Sequence, residues 1–232
     1  DFAKENIFDI LGMQYTDYLP TIQQQDGKWI NTVACPWMDR IAPTEKQKDG
    51  SVLCGQVHDP LARILNGGTS GNAGIFSNAN DIGILAAALL NGGEYNGRRI
   101  LSPLGVKTMC TVPRELTAFG RTPGWDIFSP YASNKGDLFS PNTFGHTGYT
   151  GTSIIIDPDN DTAVILLVNA VHPEDRHSIV RLRSLVANAV AASICPPAQV
   201  YTDHYYKRFL QFETETPISP KDIVMVGNSL TE

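Results

Sequence analysis

Residues 144–168 constrain the fold of this chain more than any other segment. The glycine-rich stretch 144–153, FGHTGYTGTS, leads directly into two runs of β-branched and aliphatic residues at 152–157 and 162–169. Four residues, Pro-Asp-Asn-Asp at 158–161, join the two runs. This pattern predicts an antiparallel hairpin. Because the second run is apolar on both faces, we expect the sheet to be covered on both sides.

The same stretch predicts one wall of an active-site cleft. Imidazole exchanges a proton near neutral pH, so His146 is a candidate for acid–base chemistry. Gly148 has no side chain and would let a substrate backbone lie alongside the strand. The alternative is that His146 is only a strand residue at a glycine-rich bend.

Composition limits the classes of function. The chain has 232 residues, of which 42% are hydrophobic and 18% are charged, as in an ordinary globular domain. Its net charge of −6 and scattered basic residues argue against a nucleic acid partner, because a phosphate-binding surface needs clustered positive charge. No apolar run reaches the ~18–20 residues that span a bilayer, so no transmembrane segment is expected. The four cysteines lack metal-ligand spacing, and we expect neither a metal nor a cofactor; isolated thiols and a disulfide both stay open.

Caps and apolar periodicity predict three helices. The first begins with Ser77 as its N-cap and ends at the Gly-Gly pair 92–93. The second runs from the Ser-Pro pair 102–103 to about residue 111, and the third covers residues 176–194.

The N-terminal half has less regular patterns. Residues 1–8 predict the end of a helix with a tight exit at 11–13, and residues 20–59 predict an irregular surface excursion with short strands. An excursion of this length is often functional. Residues 67–74 predict a glycine-dense turn that needs positive φ angles or a close backbone approach.

Several of these stretches match motifs of one known family. Residues 8–13, FDILGM, are similar to an F-x-P-L-G-M element, and residues 40–45, 57–59 and 68–77 are similar to cleft loops of one subgroup. The most specific match is the pattern GHTG-x-TGTS…D-P…L-x-N-x-x-H-P, which extends over residues 145–173.

These matches make residues 1 to about 195 resemble the C-terminal part of a serine hydrolase of the β-lactamase and penicillin-binding-protein type, in its class C and esterase-like branch. The resemblance implies an α/β (α+β) fold, an incomplete β-lactamase/transpeptidase-like domain with an antiparallel sheet flanked by helices. Enzymes of this family attack an acyl carbonyl with the serine of a Ser-x-x-Lys turn, where the lysine and a tyrosine manage the proton.

The family's third motif corresponds here to His146, Thr147 and Gly148. The resemblance implies a catalytic strand in which His146 supports proton transfer or binds a substrate carboxylate. It also implies that the backbone N–H of Tyr149 is an oxyanion-hole donor. Thr147 and Thr150 are the implied substrate contacts.

Three further residues, His58, Asp59 and His172, lie outside this strand. The family places the loop of His58 and Asp59 near the cleft mouth, where the two would either contact substrate or form a loop-stabilising hydrogen-bonded pair. His172 is expected to pack at a strand end rather than to act as a ligand.

One part of the family pattern is missing. No serine of this chain is followed three residues later by lysine, and no Tyr-x-Asn stands where the family has it. In the family, both motifs precede the helix at which this chain begins. We therefore expect the nucleophile, its lysine and the tyrosine to lie upstream of Asp1, and the chain as given to be inactive.

The C-terminal residues resemble a second family. A buried-type strand at 222–226 leads into 227–232, GNSLTE, which resembles the opening block of SGNH (GDSL-type) esterases. That resemblance implies a nucleophilic role for Ser229, whose acid and base partners are absent from the chain. The alternative is a C-terminal strand with a polar tail.

The predicted organisation is a serine hydrolase domain at 1–197, a linker at 198–220 and the start of an SGNH domain at 221–232. The parent protein would act on an ester, amide or β-lactam acyl group of a small-molecule or peptidoglycan-like substrate through an acyl-serine intermediate. Two alternatives are a non-catalytic peptidoglycan- or glycan-binding module and a complete, purely structural chain. The resemblance implies a periplasmic or extracellular location and further domains in the same polypeptide.

Overall fold

The described residues begin with short helices and strands and continue through two longer helices. A three-stranded antiparallel sheet and a final helix follow. The computed structural model describes residues 2–129, 135–175 and 178–194, and its helices and strands belong to one unit, Asp1–Ser193. No helix in these ranges is both long and apolar enough to span a membrane. Ser229 and the segments predicted at 198–220 and 221–232 lie outside the described residues.

The elements follow one another in a mixed order. A π-helical turn (Lys4–Phe8) precedes α1, and 3-10 turns lie at Met38–Arg40 and Arg114–Phe119. The α-helices are α1 (Asp9–Leu11), α2 (Pro60–Asn66), α3 (Ala79–Leu90), α4 (Pro103–Cys110) and α5 (Val180–Ser193). The strands are β1 (Asp17–Tyr18), β2 (Thr21–Gln23), β3 (Trp29–Asn31), β4 (Ile75–Phe76), β5 (Glu94–Tyr95), β6 (Arg98–Arg99), β7 (Phe144–Thr147), β8 (Thr152–Asp157) and β9 (Thr162–Leu167).

Strands β7, β8 and β9 form an antiparallel sheet in that order. Its register places His146 opposite Ile154 and Ile155 opposite Val164. The predicted hairpin is therefore confirmed. The other strands pair two by two as β1–β4, β2–β3 and β5–β6.

Helices cover both faces of this sheet, as the apolar pattern of β9 predicts. Alternate residues of a strand point to opposite faces, so Ile156 packs with α3 while Ile155 packs with α5. Each large aliphatic side chain contributes roughly 1.5–3 kcal/mol when it is fully buried. The buried residues on the α3 side are Ala86, Leu89, Ile127, Phe144 and Ile156, and those on the α5 side are Ile155, Val164 and Ala187.

The N-terminal helix packs on α3 through another apolar cluster. Phe8, Leu11 and Met13 are buried there with Ala88. Gly12 ends α1 in the left-handed region, at φ 75°, which lets the N–H of Met13 donate to the carbonyl of Phe8 at 2.9 Å. The tight exit expected at this point is confirmed.

The helix caps agree with the sequence to within one residue. Asn78 caps α3, and its side chain accepts a hydrogen bond from the N–H of Asp81 at 2.9 Å. The predicted cap, Ser77, is wrong by one position, because its hydroxyl lies 2.7 Å from Oγ1 of Thr16 instead. Ser102 caps α4 as predicted.

Helix α2 and the hairpin β5–β6 are absent from the sequence-based prediction, although both carry local signals. The Asp59 side chain accepts from the N–H of Ala62 at 2.7 Å, and Pro60 opens the helix. Asn96 and Gly97 connect β5 to β6 with φ angles of 50° and 73°, as a type I′ turn requires.

The irregular regions also match their predictions. Residues 20–59 contain only β2, β3, a 3-10 turn and an isolated bridge, and Gly67, Gly68 and Gly74 of the glycine-dense turn have positive φ. The cysteines that the structure describes are free and half-buried: Cys35, Cys54 and Cys110.

Candidate functional site

The functional candidates gather along the outer edge of β7. The segment 121–126 lies beside the start of this strand, where Gly145 and Asp126 exchange backbone hydrogen bonds of 2.9 and 3.0 Å. In an antiparallel ladder, alternate residues direct their backbone groups to the same side. The N–H and C=O of Thr147 therefore face this same edge, one step beyond the last pairing found among the described residues.

His146 is exposed on this strand and is held by hydrogen bonds at both ring nitrogens. Its Nε2 lies 2.7 Å from Nη2 of Arg121, and its Nδ1 lies 3.0 Å from the carbonyl oxygen of Thr147. A guanidinium can only donate, so Nε2 must accept and the ring proton belongs on Nδ1. The Nδ1–H group then donates to the carbonyl of Thr147. In this arrangement the imidazole holds the guanidinium of Arg121 beside β7. A role of His146 in proton transfer stays a prediction.

Arg121 brings a positive charge to the open part of the edge. The acidic residue of its own segment, Asp126, accepts instead from the N–H and Oγ of Ser129, at 3.3 and 2.9 Å. No carboxylate in the described ranges forms an ion pair with Arg121. In the guanidinium of Arg121, only Nη2 has a hydrogen-bond partner among the described residues. A guanidinium whose other N–H groups face a strand edge suits a carboxylate ligand.

Gly148 lies against the side chain of Thr152 in the turn that closes the hairpin. A Cβ at this position would lie 2.3 Å from Oγ1 of Thr152. The N–H of Gly148 also donates to the carbonyl of Thr152 at 2.7 Å, which closes the turn. The space that the sequence analysis assigned to a substrate backbone is thus filled by Thr152 on the side where a Cβ would project.

The turn is held from α5 by Arg183, which is 7% exposed. Its Nη2 donates to the carbonyls of Gly148 and Thr152, both at 2.9 Å. Burial lowers the pKa of Arg183 from its ordinary value, but arginine still remains cationic at neutral pH. A charged donor to two carbonyls thus fixes the backbone on either side of Tyr149.

Tyr149 lies in this turn with 75% of its surface exposed. Its ring stacks on the imidazole of His58, with centroids 5.7 Å apart and planes inclined by 20°. Its hydroxyl donates to the carboxylate of Asp175, and this hydrogen bond, together with the negative charge, raises the pKa of Tyr149. The role of its N–H as an oxyanion-hole donor stays a prediction.

His58 and Asp59, although adjacent in sequence, serve different parts of the structure. His58 joins the β7–β8 turn through its ring, and its carbonyl accepts from Nη1 of Arg63 at 3.0 Å. Asp59 instead caps α2 through Ala62. This is the loop-stabilising role left open by the sequence, but its partner is a helix N–H and not His58.

The segment that follows β9 contacts both the loop at 40–45 and the β7–β8 turn. The Nδ1 of His172 is 2.8 Å from the carbonyl oxygen of Thr44. The N–H of Ala170 donates to the carbonyl of Thr150 at 2.8 Å, next to the β7–β8 turn. His172 is exposed, so the expectation that it packs at a strand end is wrong. Substrate contacts of the Thr147 and Thr150 side chains stay predictions.

The structure thus brings one group of predicted residues together and adds two that were missed. The residues around the edge and turn are His58, His146, Thr147, Gly148, Tyr149 and Thr150. The additions are Arg121 and Arg183, which no local motif marks because their contacts with this group span 25 to 35 residues. A shallow cleft of about 430 Å³ beside Tyr18 and Ser70 includes none of these residues. In the part of the chain described, no cluster of three His, Cys, Asp or Glu side chains could hold a metal ion.

Comparison with known proteins identifies relatives of most of the chain. The family model described as Beta-lactamase matches residues 1–188. A protein of Escherichia coli (strain K12) named "Putative D-alanyl-D-alanine carboxypeptidase" is 35% identical over 185 residues, which is 74% of this chain and 40% of that protein. The protein of the same name in Salmonella gallinarum is 40% identical over the same coverage. This chain therefore spans about 40% of the length of these curated relatives.

Several solved structures are similar in fold, and simvastatin synthase is one of them. Unliganded simvastatin synthase from Aspergillus terreus superimposes with a TM-score of 0.53 at 15% identity. The match covers 84% of this chain and 50% of that one.

Proposed function

This chain belongs to the beta-lactamase family. We propose that its strand β7 is the substrate-facing strand of a serine hydrolase that acts on peptides ending in D-alanyl-D-alanine. Its fold is that of the β-lactamase and transpeptidase group, with antiparallel sheets flanked by helices. The carboxypeptidase name of the relatives in Escherichia coli and Salmonella gallinarum supports this substrate among the ester, amide and β-lactam groups that such a hydrolase could take.

The single observation that carries the proposal is the contact between Arg121 and His146 on the outer edge of β7. A peptide that pairs with the backbone of Thr147 would extend this sheet by one strand. Its terminal carboxylate would then meet the guanidinium of Arg121, and two parallel N–H···O bonds would orient it. His146 would hold the guanidinium in place, which favours carboxylate binding over proton transfer as its role.

The acyl group would lie next to the β7–β8 turn. There the N–H of Tyr149 would stabilise the oxyanion that forms when the carbonyl is attacked. Since the chain contains no Ser-x-x-Lys, we propose that the attacking serine belongs to sequence outside this chain and that the chain alone does not turn over substrate. We further propose that the full polypeptide works in the cell envelope and continues at 221–232 into an SGNH module that contains Ser229.

Two measurements on the 232-residue chain test the proposal. In a ¹⁵N NMR titration, Nα-acetyl-D-alanyl-D-alanine should shift the amides of residues 145–151, and the same peptide ending in a carboxamide should bind at least about tenfold more weakly, because a charged hydrogen bond is lost. Equal affinity for acid and amide would contradict the carboxylate site. Nitrocefin and p-nitrophenyl acetate should not be hydrolysed, and clear turnover of either would show that a nucleophile is present after all.

A non-catalytic module that binds peptidoglycan or glycan is the second candidate, and the missing Ser-x-x-Lys favours it. The hydrolase and a peptidoglycan binder both predict peptide binding by this chain, whereas a module that binds glycan alone does not. They differ in the rest of the polypeptide: a Ser-x-x-Lys that reacts covalently with a fluorescent penicillin supports the hydrolase, and a full polypeptide without one supports the binder.

A further inference from the structure

Two stacked rings join the loop before α2 to the β7–β8 turn, and a buried arginine supports the backbone of each. The imidazole of His58 lies on the ring of Tyr149, with centroids 5.7 Å apart. Arg183 holds the carbonyls on either side of Tyr149. Arg63, which is 6% exposed, has the same relation to the other ring. Its Nη1 donates to the carbonyls of Val57 and His58, the latter at 3.0 Å.

The burial of Arg63 is unfavourable in itself. Loss of hydration lowers its pKa from the ordinary value, although the charges of Glu45 and Asp59 oppose this shift. Its Nε has no hydrogen-bond partner in the described part of the chain, and no carboxylate there forms an ion pair with it. Apolar side chains of similar volume often fill such a space without a loss of stability. The two carbonyls that Arg63 fixes therefore indicate a role beyond packing.

The β2–β3 hairpin holds Arg63 in place. Cζ of its guanidinium lies 5.4 Å from the ring centroid of Trp29 on β3, which is a cation–π contact. Strand β2 also binds the end of α2, where the N–H of Thr21 donates to the carbonyl of Gly67 at 2.7 Å. At the start of the helix, the side chain of Asp59 is the N-cap. The residue before this cap is thus fixed between a capped helix and an arginine that the hairpin supports.

We propose that Arg63, held by Trp29, is a positioning residue: it fixes the backbone of His58 so that the imidazole supports the ring of Tyr149 beside the candidate site. The irregular excursion at 20–59 gains a function in this way, because it contains the hairpin that holds the arginine. The effect on the imidazole follows from the geometry alone, whereas an effect on peptide binding rests on the proposed function. Under that function, a turn that is ordered in advance loses little conformational entropy when a peptide binds.

The ring protons of His58 report the position of the imidazole. The ring current of Tyr149 should displace them from their ordinary positions in the ¹H NMR spectrum of the 232-residue chain, and Tyr149→Leu should remove this displacement. Arg63→Met should remove most of it in a chain that circular dichroism shows to be folded. Arg63→Lys, which can still donate to carbonyls, should restore part of it. Arg40→Met is the matched control, since Arg40 also stacks on a tyrosine, with its Cζ 4.9 Å from the ring centroid of Tyr15.

Peptide binding shows whether Arg63 acts through His58. In an NMR titration with Nα-acetyl-D-alanyl-D-alanine, Arg63→Met and His58→Ala should each weaken binding roughly three- to tenfold. The double variant should bind no more weakly than His58→Ala alone, because the arginine has nothing left to position. Losses that add in the double variant would overturn the inference, since Arg63 would then act by another route.

The remaining outcomes separate this inference from the proposed function. Ring protons of His58 that stay displaced in a folded Arg63→Met chain would also overturn it. If that variant does not fold, Trp29→Leu decides, because it keeps the arginine and removes its aromatic support: an altered displacement supports the inference, and an unaltered one contradicts it. Failure of the parent chain to bind the peptide, while the ring protons respond as expected, would count against the proposed function and leave the positioning of His58 in place.

Discussion

Nη2 of Arg121 lies 2.7 Å from Nε2 of His146, although 25 residues separate the two in the chain. The contact fixes the imidazole tautomer and directs a cation to the edge of β7. The candidate carboxylate site therefore consists of both residues, and a motif that names only His146 omits the cation.

Replacing Arg121 tests the cationic end of the strand. Arg121→Gln should weaken the binding of Nα-acetyl-D-alanyl-D-alanine by about ten- to hundredfold, as expected for the loss of ~1.5–3 kcal/mol from a charged hydrogen bond. Arg121→Lys keeps the charge but not the fork and should fall in between. NMR titration measures all three affinities. Arg114→Gln, an exposed arginine with the same change of charge, should leave the affinity unchanged, and a loss there would attribute the effect to net charge instead.

Arg183 should contribute to stability through the turn that it holds. Arg183→Ala removes at least two charged hydrogen bonds from a buried site, and we expect a loss of about 2–4 kcal/mol in the free energy of unfolding. Arg181 lies on the same helix but is exposed, so Arg181→Ala should cost no more than about 0.5 kcal/mol. Urea denaturation compares the two variants. Similar midpoints for both would show that the contacts of Arg183 do not stabilise the fold.

A side chain at position 148 should destabilise the turn. Its added Cβ would meet Oγ1 of Thr152, so Gly148→Ala should destabilise the chain by about 1–3 kcal/mol. The double variant with Thr152→Ala removes the clashing atom, and its loss should be smaller than the sum of the single losses by about 1 kcal/mol. Gly71→Ala meets nothing within 4 Å and should be nearly neutral. Strict additivity in the double variant would contradict the clash as the cause.

Asp157 should make stability depend on acid pH. Its side chain is fully buried, which by itself would raise its pKa, but hydrogen bonds from Ser140, Asn160 and Asp159 outweigh burial and hold the pKa below its ordinary value of 3.8. A lowered pKa in the folded state means that the carboxylate stabilises the fold fully above about pH 4 and that this stability is lost as the pH falls through the lowered pKa.

The corresponding variant is Asp157→Asn. It should lose about 2–4 kcal/mol at neutral pH, where donors are left without their charged partner, and its urea midpoint should decline less between pH 4 and pH 2 than that of the parent chain. Asp39→Asn, at an exposed position, should follow the parent profile. An equally steep acid decline in Asp157→Asn would rule out this carboxylate as the source.

Local sequence signals predicted much of the fold. The hairpin followed from two β-rich runs around a polar loop, and α4 followed from a serine cap before proline at Ser102. Where the prediction of α3 missed its cap by one residue, the cause was a tertiary contact, since Ser77 bonds to Thr16, which is 61 positions away. Helix α2 and the β5–β6 turn also have local sequence signals, the cap Asp59–Pro60 and the pair Asn96–Gly97, but the prediction did not include these elements.

For the candidate site, local sequence patterns predicted the contiguous residues, and the family resemblance predicted His58. The sequence alone predicts the stretch from His146 to Thr150, because these residues follow one another in one strand and the turn after it. Arg121 contacts β7 through His146, whereas His58 and Arg183 contact the turn. Each contact depends on how loops and α5 pack rather than on a spacing in the sequence. The sequence also does not show why position 148 is glycine, because the clash of an added Cβ depends on the rotamer of Thr152.

The grip of Arg183 on the β7–β8 turn links the order of synthesis to the readiness of the site. A ribosome releases the hairpin before it releases α5, so the two hydrogen bonds from Arg183 to the turn can form only after the helix has emerged. A nascent chain that stops short of residue 183 would contain the complete glycine-rich stretch but would lack the anchor for its carbonyls. The carbonyls of Gly148 and Thr152 would therefore gain their charged partner only in the last part of this unit to be synthesised.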